Sequence, residues 1–289
     1  MKPEVLIIGC GFLGNAAAEL FSSRGLRVLG LVRSMDSLSE LDNRPFESLR
    51  CDVTETSSVE ALQPRLEGVP LAIYAVSSRH GGAECYAAVY RDGLHRILEG
   101  WSPKRLIFVS STSVYGQNDG SWLTEESPTC PDSQTGRILL EAERIAICYG
   151  GTVARLSGIY GPGRSVLLKK FLSGEAVLED GGTRWINQIH RDDAAAALVR
   201  LSEETIASGI YNVSDDTPAT QRDVYDWIAR FLSRPLPPNG PKDTNRKRFL
   251  TSKRISNKKL KTTGWSPAMP SYRDALPQLI SGIEKPSSE

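Results

Sequence analysis

The chain has 289 residues, 40% of them apolar, a length that suits one large domain or a large and a small lobe around a sizeable core. A formal net charge of +1 with 24% charged residues excludes an overall field that would attract nucleic acid or an anionic membrane. The 5 cysteines lack metal-ligand or paired spacing, and no apolar run approaches about 18 residues, so a cytoplasmic protein without disulfides, metal or membrane span is predicted.

Five short aliphatic runs predict strands in the first half of the chain. They begin at Glu4 (EVLIIG), Arg27 (RVLGLV), Pro70 (PLAIYAV), Arg105 (RLIFVS) and Thr152 (TVARLS). Runs that are apolar on both faces suit a buried parallel sheet, and segments with helical spacing lie between them. The alternation predicts an α/β fold, with a Rossmann doubly wound parallel sheet over residues 1–155.

The pattern becomes less regular from about Leu156. Glycine- and proline-rich loops are followed by a helical run (DDAAAALVRLSEE), a short strand (GIYNVS) and two more helical segments near 220–233 and 271–284. We interpret residues 156–289 as a smaller C-terminal α/β lobe that binds substrate, with some segments returning to the Rossmann sheet.

A glycine turn, GCGFLG, follows the first predicted strand and precedes a helical pattern. Gly9 permits the tight turn, Gly11 lets the backbone approach a pyrophosphate, and Gly14 lets helix and strand pack closely. The helix N-terminus adds free N–H groups and a positive dipole, which favours a dinucleotide site over a plain connection. The predicted cofactor site also includes Phe12, Leu13, Val53, Ala75, Val76, Ser77 and Ser157.

The choice of cofactor depends on Arg33, which follows the second strand about 20 residues after the turn, where NAD-binding folds place an acidic residue. An arginine there can pair with a 2′-phosphate, so NADP is favoured, with NAD as the alternative. Arg33 could equally be a solvated side chain at a strand end. Asp52 could accept a hydrogen bond from adenine or could cap a helix.

Ser111, Val114, Tyr115 and Gly116 complete a set of motifs that resembles the extended short-chain dehydrogenases/reductases, which include nucleotide-sugar epimerases and dehydratases. The likeness runs through GCGFLG, CDVTE, FVSSTSVYG, ARLSGIYGPG, IHRDDAAAAL, IYNVSDD and LKTTGWSP, over nearly the whole chain. The resemblance implies a Rossmann domain that holds NAD(P), a lobe that closes over a substrate such as a nucleotide sugar, and a catalytic serine at Ser111.

The chain departs from this family at the YxxxK pair of the next helix. Alignment of PDSQTGRILLEAE places Thr135 at the tyrosine and Leu139 at the lysine. A threonine hydroxyl does not ionise near neutral pH and leucine supplies no cation, so the acid/base pair is missing and the chain resembles atypical members. Arg137, on the opposite side of the helix, does not replace it, and His190 is interpreted as a packing and capping residue.

The predicted substrate pocket contains His80, Thr112, Tyr115, Thr135 and Arg248. A second cluster, from Lys242 to Lys261, holds nine basic residues and one acidic residue. It could be a solvated surface, a phosphate site using Arg248, Lys253 or Arg254, or a nucleic-acid contact, although no interleaved aromatic residues favour the last reading.

Two functions are compatible with these features. The first is an NADP-binding oxidoreductase, or an epimerase or dehydratase, acting on a nucleotide sugar or another small polar substrate. The second is a sensor that binds NADP(H) without turnover, which the missing tyrosine and lysine favour. A monomer or homodimer is expected in either case.

Overall fold

A computed structural model describes residues 2–78, 82–241 and 251–284. The strands are β1 (Val5–Ile8), β2 (Val28–Val32), β3 (Glu47–Arg50), β4 (Leu71–Tyr74), β5 (Arg105–Ser111), β6 (Trp122–Leu123), β7 (Thr152–Leu156), β8 (Gly158–Tyr160), β9 (Leu178–Glu179), β10 (Trp185–Ile186), β11 (Gln188–His190), β12 (Ile210–Val213), β13 (Ala219–Thr220), β14 (Asn239–Gly240) and β15 (Arg254–Ile255). The helices are α1 (Phe12–Ser23), α2 (Met35–Ser39), α3 (Thr56–Leu66), α4 (Ala83–Ala87), α5 (Gly93–Gly100), α6 (Gln134–Cys148), α7 (Val166–Leu172), α8 (Arg191–Leu201), α9 (Gln221–Phe231), α10 (Lys258–Lys261) and α11 (Tyr272–Glu284).

Seven parallel strands form the central sheet in the order β3-β2-β1-β4-β5-β7-β12. The strand order reverses beside β1, which has β2 on one side and β4 on the other. In open α/β sheets, ligands bind in the crevice at the carboxyl ends of the strands next to such a reversal. The predicted Rossmann sheet is confirmed, and its crevice lies where β1 ends.

Helices cover both faces of the sheet because its strands are apolar on both sides. Helices α1 and α8 pack against each other on one face through small side chains, among them the fully buried Ala17, Ala18, Ala194 and Ala197. Side chains from α3, α5 and α6 join the cluster on the other face. Among the described residues, no helix is both long and apolar enough to cross a membrane.

A π-helical turn, Ala88–Asp92, joins α4 to α5. A π turn leaves the regular α-helical hydrogen-bond ladder. Here the Val89 carbonyl accepts a hydrogen bond of 2.6 Å from the Tyr74 hydroxyl on β4. A Cβ at Gly93 would lie 2.7 Å from that hydroxyl, so the glycine allows the helix to approach the strand.

A separate apolar cluster lies beyond the sheet, formed by α7, α9 and α11 and including Phe171, Val224, Tyr225, Ile228 and Tyr272. Paired short strands accompany it, namely β8 with β11, β9 with β14, and β10 with β13. In contrast, β12 pairs with β7 in the central sheet, and α8 packs on α1. The second half of the chain therefore supplies both a separate apolar cluster and the last strand of the sheet.

Candidate active site

The glycine turn lies at the carboxyl end of β1, against the chain that leaves β4. Gly9 has a φ of 92°, and a Cβ there would lie 2.6 Å from the Val76 backbone. A Cβ on Gly14 would lie 2.3 Å from the Gly9 carbonyl oxygen. A Cβ on Gly11 would meet no atom within 4 Å. Two of the glycines are therefore required by the fold, whereas Gly11 faces open space.

The surroundings of this space fit a dinucleotide. Helix α1 begins at Phe12 and points the N–H groups of its first turn, which includes Leu13, at the turn. Ala75 and the exposed Ser77 follow β4, and the Ala75 N–H donates to the Ile8 carbonyl at 2.7 Å. Ser157 follows β7 with a buried hydroxyl that has no hydrogen-bond partner within the described part of the chain. The open space at Gly11 and the unpaired Ser157 hydroxyl therefore lie at the same edge of the sheet.

The predicted adenosine end contains a second arginine that the sequence analysis missed. Arg33 directly follows β2 and is exposed, and Arg50 ends the neighbouring strand β3 opposite Val32. The Arg50 Nε donates to the Arg33 carbonyl at 3.1 Å. The sequence did contain a signal for this residue, because Arg50 ends the short run ESLR directly before the motif CDVTE.

Asp52 and Val53 have local roles in the structure. One Asp52 carboxylate oxygen accepts from the Thr54 N–H at 2.9 Å, and α3 begins later, without a side-chain cap. The helix-cap alternative for Asp52 is therefore wrong. The Val53 side chain is buried beside Gly93, so any contact of Val53 with a cofactor would come from its backbone, and its place in the cofactor site stays a prediction.

Ser111 ends β5 and opens a 3-10 turn, Thr112–Val114. Its hydroxyl oxygen accepts from the Ser113 N–H at 3.1 Å, which leaves the hydroxyl proton available for donation. Ser111 is partly exposed and Thr112 is buried. Ser111 is thus a hydrogen-bond donor at the carboxyl edge of the sheet, in line with the glycine turn two strands away.

A buried polar network lies directly beneath Ser111. The Ser110 hydroxyl donates to Glu143 at 2.5 Å, and Arg155 forms an ion pair with the same carboxylate at 2.6 Å. Arg155 also donates to the Tyr115 hydroxyl at 3.0 Å, and that hydroxyl donates to Asn212 at 2.9 Å. The network links β5 with α6, with the neighbouring strand β7 and with β12 beyond it.

This network corrects the prediction for Tyr115, whose side chain is fully buried instead of lining a pocket. Burial raises the pKa of Tyr115 above its ordinary value of 10.0. Because its hydroxyl is hydrogen-bonded to Arg155 and Asn212, Tyr115 helps to fix the elements that carry the site. It does not supply the missing acid/base group.

Helix α6 carries the two substituted positions. Thr135 is partly exposed, and its hydroxyl donates to Ser133, the residue that caps the helix, at 3.3 Å. Leu139 is 1% exposed and belongs to the core. Arg137 donates to the Asp132 carbonyl at 3.0 Å on the exposed side of the helix. No cation from α6 accompanies Thr135 at this position.

A buried lysine of the basic cluster lies close to the site. Lys253 is 3% exposed, and its ammonium donates to the Tyr115 carbonyl. Burial lowers the pKa of Lys253 from 10.5 to about 8. Arg254 lies instead over the rings of Trp185 and Trp122, at 4.8 and 5.3 Å. Two further predicted pocket residues, His80 and Arg248, lie outside the described residues.

His190 has the structural role that the sequence predicted. Its Nδ1 accepts from the Asp192 N–H at 3.4 Å and so caps α8, and its ring packs edge-on against Tyr160, with centroids 5.5 Å apart. Burial lowers the pKa of His190 below its ordinary value of 6.5. The residue is therefore a packing and capping group.

A glycine turn at the sheet reversal, followed by a helix N-terminus and accompanied by the Ser111 hydroxyl at the end of β5, defines a dinucleotide-binding α/β protein of the extended short-chain dehydrogenase/reductase type. Residues 5–214 match the model of the NAD dependent epimerase/dehydratase family. The chain belongs to this family. The resemblance inferred from the motifs is thereby confirmed, and the family is NAD-dependent.

Individual relatives agree with this assignment. The 3-diazoavenalumate denitrifying reductase of a Streptomyces species is 26% identical over 94% of this chain and 99% of its own. A candidate NAD-dependent epimerase/dehydratase from Methylobacillus flagellatus is 27% identical, with a TM-score of 0.81 over 99% of this chain and 100% of its own. The Bacillus cereus UDP-glucuronic acid 4-epimerase, solved with UDP-glucuronic acid and NAD, has the same fold, with 20% identity and a TM-score of 0.78 over 98% and 99% of the two chains.

Proposed function

We propose that this chain is an NADP-dependent oxidoreductase that acts on a carbonyl or carbinol group of a small polar substrate, with nucleotide sugars as the substrate class. The observation that carries the proposal is the shared edge of the sheet. The open turn at Gly11, the arginine pair Arg33 and Arg50, and the Ser111 hydroxyl all lie at the carboxyl ends of strands of the same parallel sheet, namely β1, β2, β3 and β5. The family assignment supports the same chemistry.

Some residues of the protein would bind the cofactor, and others would polarise the substrate. Bound NADP(H) would supply or accept the hydride. The turn would hold the pyrophosphate, while Arg33 and Arg50 would pair with the 2′-phosphate through their planar guanidinium groups. Ser111 would donate a hydrogen bond to the substrate oxygen on which negative charge develops.

The residues of α6 supply no acid/base group, because neither Thr135 nor Leu139 can exchange a proton near neutral pH, so water would exchange the proton at the substrate oxygen in either direction of hydride transfer. We propose the net reduction of a carbonyl, in which NADPH would give the hydride and water would give one proton. The Streptomyces relative is named as a reductase, which agrees with this direction.

We also propose that residues 1–155 bind the cofactor and that residues 156–289 mainly form the substrate lobe. The apolar cluster of α7, α9 and α11 supports a separate lobe. The return of β12 and α8 to the sheet means that the two parts are not independent in sequence.

The cofactor assignment is tested by calorimetric titration of NADPH and NADH. We expect NADPH to bind more tightly, and Arg33→Ala to weaken NADPH by roughly 1 to 3 kcal/mol, the worth of a charge-assisted hydrogen bond. Affinity for NADH serves as the internal control and should not change. Equal affinity of the wild type for both cofactors would contradict the assignment to NADP.

The catalytic assignment is tested on a panel of carbonyl compounds and nucleotide sugars. With any substrate that is turned over, Ser111→Ala should lower kcat/KM on the order of tenfold to a thousandfold, as for loss of a single donor to an oxyanion. Thr135→Val should lower it much less. Tight NADPH binding without turnover on the whole panel would favour the second candidate, a sensor of NADP(H), for which the absence of a base on α6 is the supporting observation.

A further inference from the structure

Two arginines from separate elements converge on Phe12, the first residue of α1. The guanidinium carbon of Arg164 lies 5.1 Å from the centroid of the Phe12 ring, and that of Arg191 lies 5.4 Å from the same centroid. Arg164 belongs to the loop between β8 and α7, whereas Arg191 is the first residue of α8. Two cations are therefore held beside the helix end that follows the glycine turn.

A tight turn explains how Arg164 reaches this place. Gly161 and Arg164 exchange two backbone hydrogen bonds, each of 2.9 Å. Proline at the second position and Gly163, with a φ of 71°, at the third fit a type II turn. A Cβ at Gly161 would lie 3.1 Å from the Arg191 Cβ and 3.4 Å from the Phe12 ring. The missing side chain at residue 161 thus lets the three groups meet.

The convergence places two positive charges against one aromatic ring, a position that an anion would favour. Like charges repel, and both arginines add to the positive end of the α1 dipole. Arg191 is partly neutralised by Asp192, with its Nε 2.8 Å from a carboxylate oxygen. Arg164 is exposed and has no carboxylate partner within residues 2–78, 82–241 and 251–284. A diphosphate bound at the turn would relieve this repulsion.

We propose that Arg164 and Arg191 bind the pyrophosphate of the dinucleotide. The inference rests on the proposed cofactor function and adds two residues from the second half of the chain to a site otherwise built by the first half. Guanidinium groups match phosphate oxygens with paired N–H donors, so two arginines can engage both phosphates. Their role differs from that of Arg33, because the pyrophosphate is common to NADP and NAD.

The experiment is a calorimetric comparison of four ligands: NADPH, NADH, ADP-ribose and adenosine 2′-monophosphate, the last of which lacks a pyrophosphate. Arg164→Ala and Arg191→Ala should each weaken the first three by roughly three- to tenfold, and the double variant by roughly ten- to a hundredfold, given partial solvent screening. Binding of adenosine 2′-monophosphate should not change. Arg230→Ala, at an exposed arginine on α9, is the matched control.

Three outcomes would overturn the inference. The double variant could bind NADPH within twofold of the wild type, which would leave the proposed function intact. ADP-ribose binding could remain unchanged while NADPH and NADH weaken, which would place the arginines at the nicotinamide. Adenosine 2′-monophosphate could weaken as well, which would place them at the adenosine end. A wild type that binds no dinucleotide would instead refute the proposed function and, with it, the inference.

The charge-conserving variants Arg164→Lys and Arg191→Lys guard against a loss caused by misfolding. If the arginines bind the pyrophosphate, lysine should restore part of the affinity through its charge, without the paired N–H donors, and the loss in the alanine variants should shrink as salt is raised. Lysine variants that melt like the wild type but bind all three diphosphates as weakly as the alanine variants, together with a loss in the alanine variants that does not change with salt, would contradict a charged contact with the phosphates.

Discussion

Replacement of Lys253 by methionine tests whether its ammonium is held out of water. Methionine has a similar length and no charge. The fall in the pKa of this lysine from 10.5 to about 8 corresponds to about 3 kcal/mol at neutral pH, the cost of keeping a protonated amine in a desolvated place. The Lys253→Met variant avoids this cost but leaves the Tyr115 carbonyl without its donor, so stability at one pH mixes two effects.

The pH dependence separates these effects. Because the folded-state pKa lies below the unfolded-state value, the unfolded chain binds more protons between about pH 8 and pH 10.5, and stability rises with pH in that window. Below about pH 8 the full cost is present. Between pH 7 and pH 9.5 this group should contribute a gain of about 2 kcal/mol to the wild type and nothing to the variant.

The measurement is urea unfolding of the wild type and Lys253→Met at both pH values. The free energy of unfolding of the wild type relative to the variant should rise by about 2 kcal/mol at the higher pH. Other titrating groups are common to both proteins and cancel. Lys258→Met, at an exposed lysine that begins α10, is the control and should show no such change. A difference that is the same at pH 7 and pH 9.5 would refute the desolvation of the amine.

Three further predictions follow from the packing around the site. Glu143→Ala should lower the free energy of unfolding by about 3–5 kcal/mol in urea titrations, because it leaves the buried Arg155 without its ion-pair partner. A loss under about 1 kcal/mol would show that water reaches the ion pair. Gly9→Ala should lower Tm, because the φ of 92° is strained for alanine and the new Cβ would lie 2.6 Å from the Val76 backbone. An unchanged Tm would contradict this strain. Gly11→Val should keep the wild-type Tm but lose NADPH binding in calorimetry, and unchanged affinity would show that the turn is only a connection.

The central sheet was predictable because its strands are buried on both faces and therefore read as continuous aliphatic runs. The same rule explains what escaped prediction. β3, with the sequence ESLR, is an edge strand whose side chains are exposed or only partly buried, so it has no aliphatic run. The π turn between α4 and α5 places the Val89 carbonyl against the Tyr74 hydroxyl, a contact between separate segments that local sequence does not encode.

The candidate site was predictable where a motif specifies a backbone conformation, as at Gly9, and not where it depends on contacts between distant segments. Glu143 has a local signal, since it falls four residues after Leu139 on the buried face of α6. A charged residue on a core face implies a buried partner, and Arg155 within the apolar run TVARL was the matching one. Lys253 has no comparable signal, because its burial against Tyr115 arises from contacts across 138 residues.

The position of β12 also bears on how the chain folds during synthesis. This strand forms the outer edge of the sheet beside β7, yet the whole stretch from Ser157 to Gly209 is translated between the two. Until β12 emerges, β7 presents an open row of backbone groups, and Tyr115 lacks the Asn212 side chain that accepts its hydroxyl. Pairing across so many residues is slow, and an uncovered strand edge invites association between chains. A nascent chain from which β7 has emerged and β12 has not is therefore expected to be prone to aggregation.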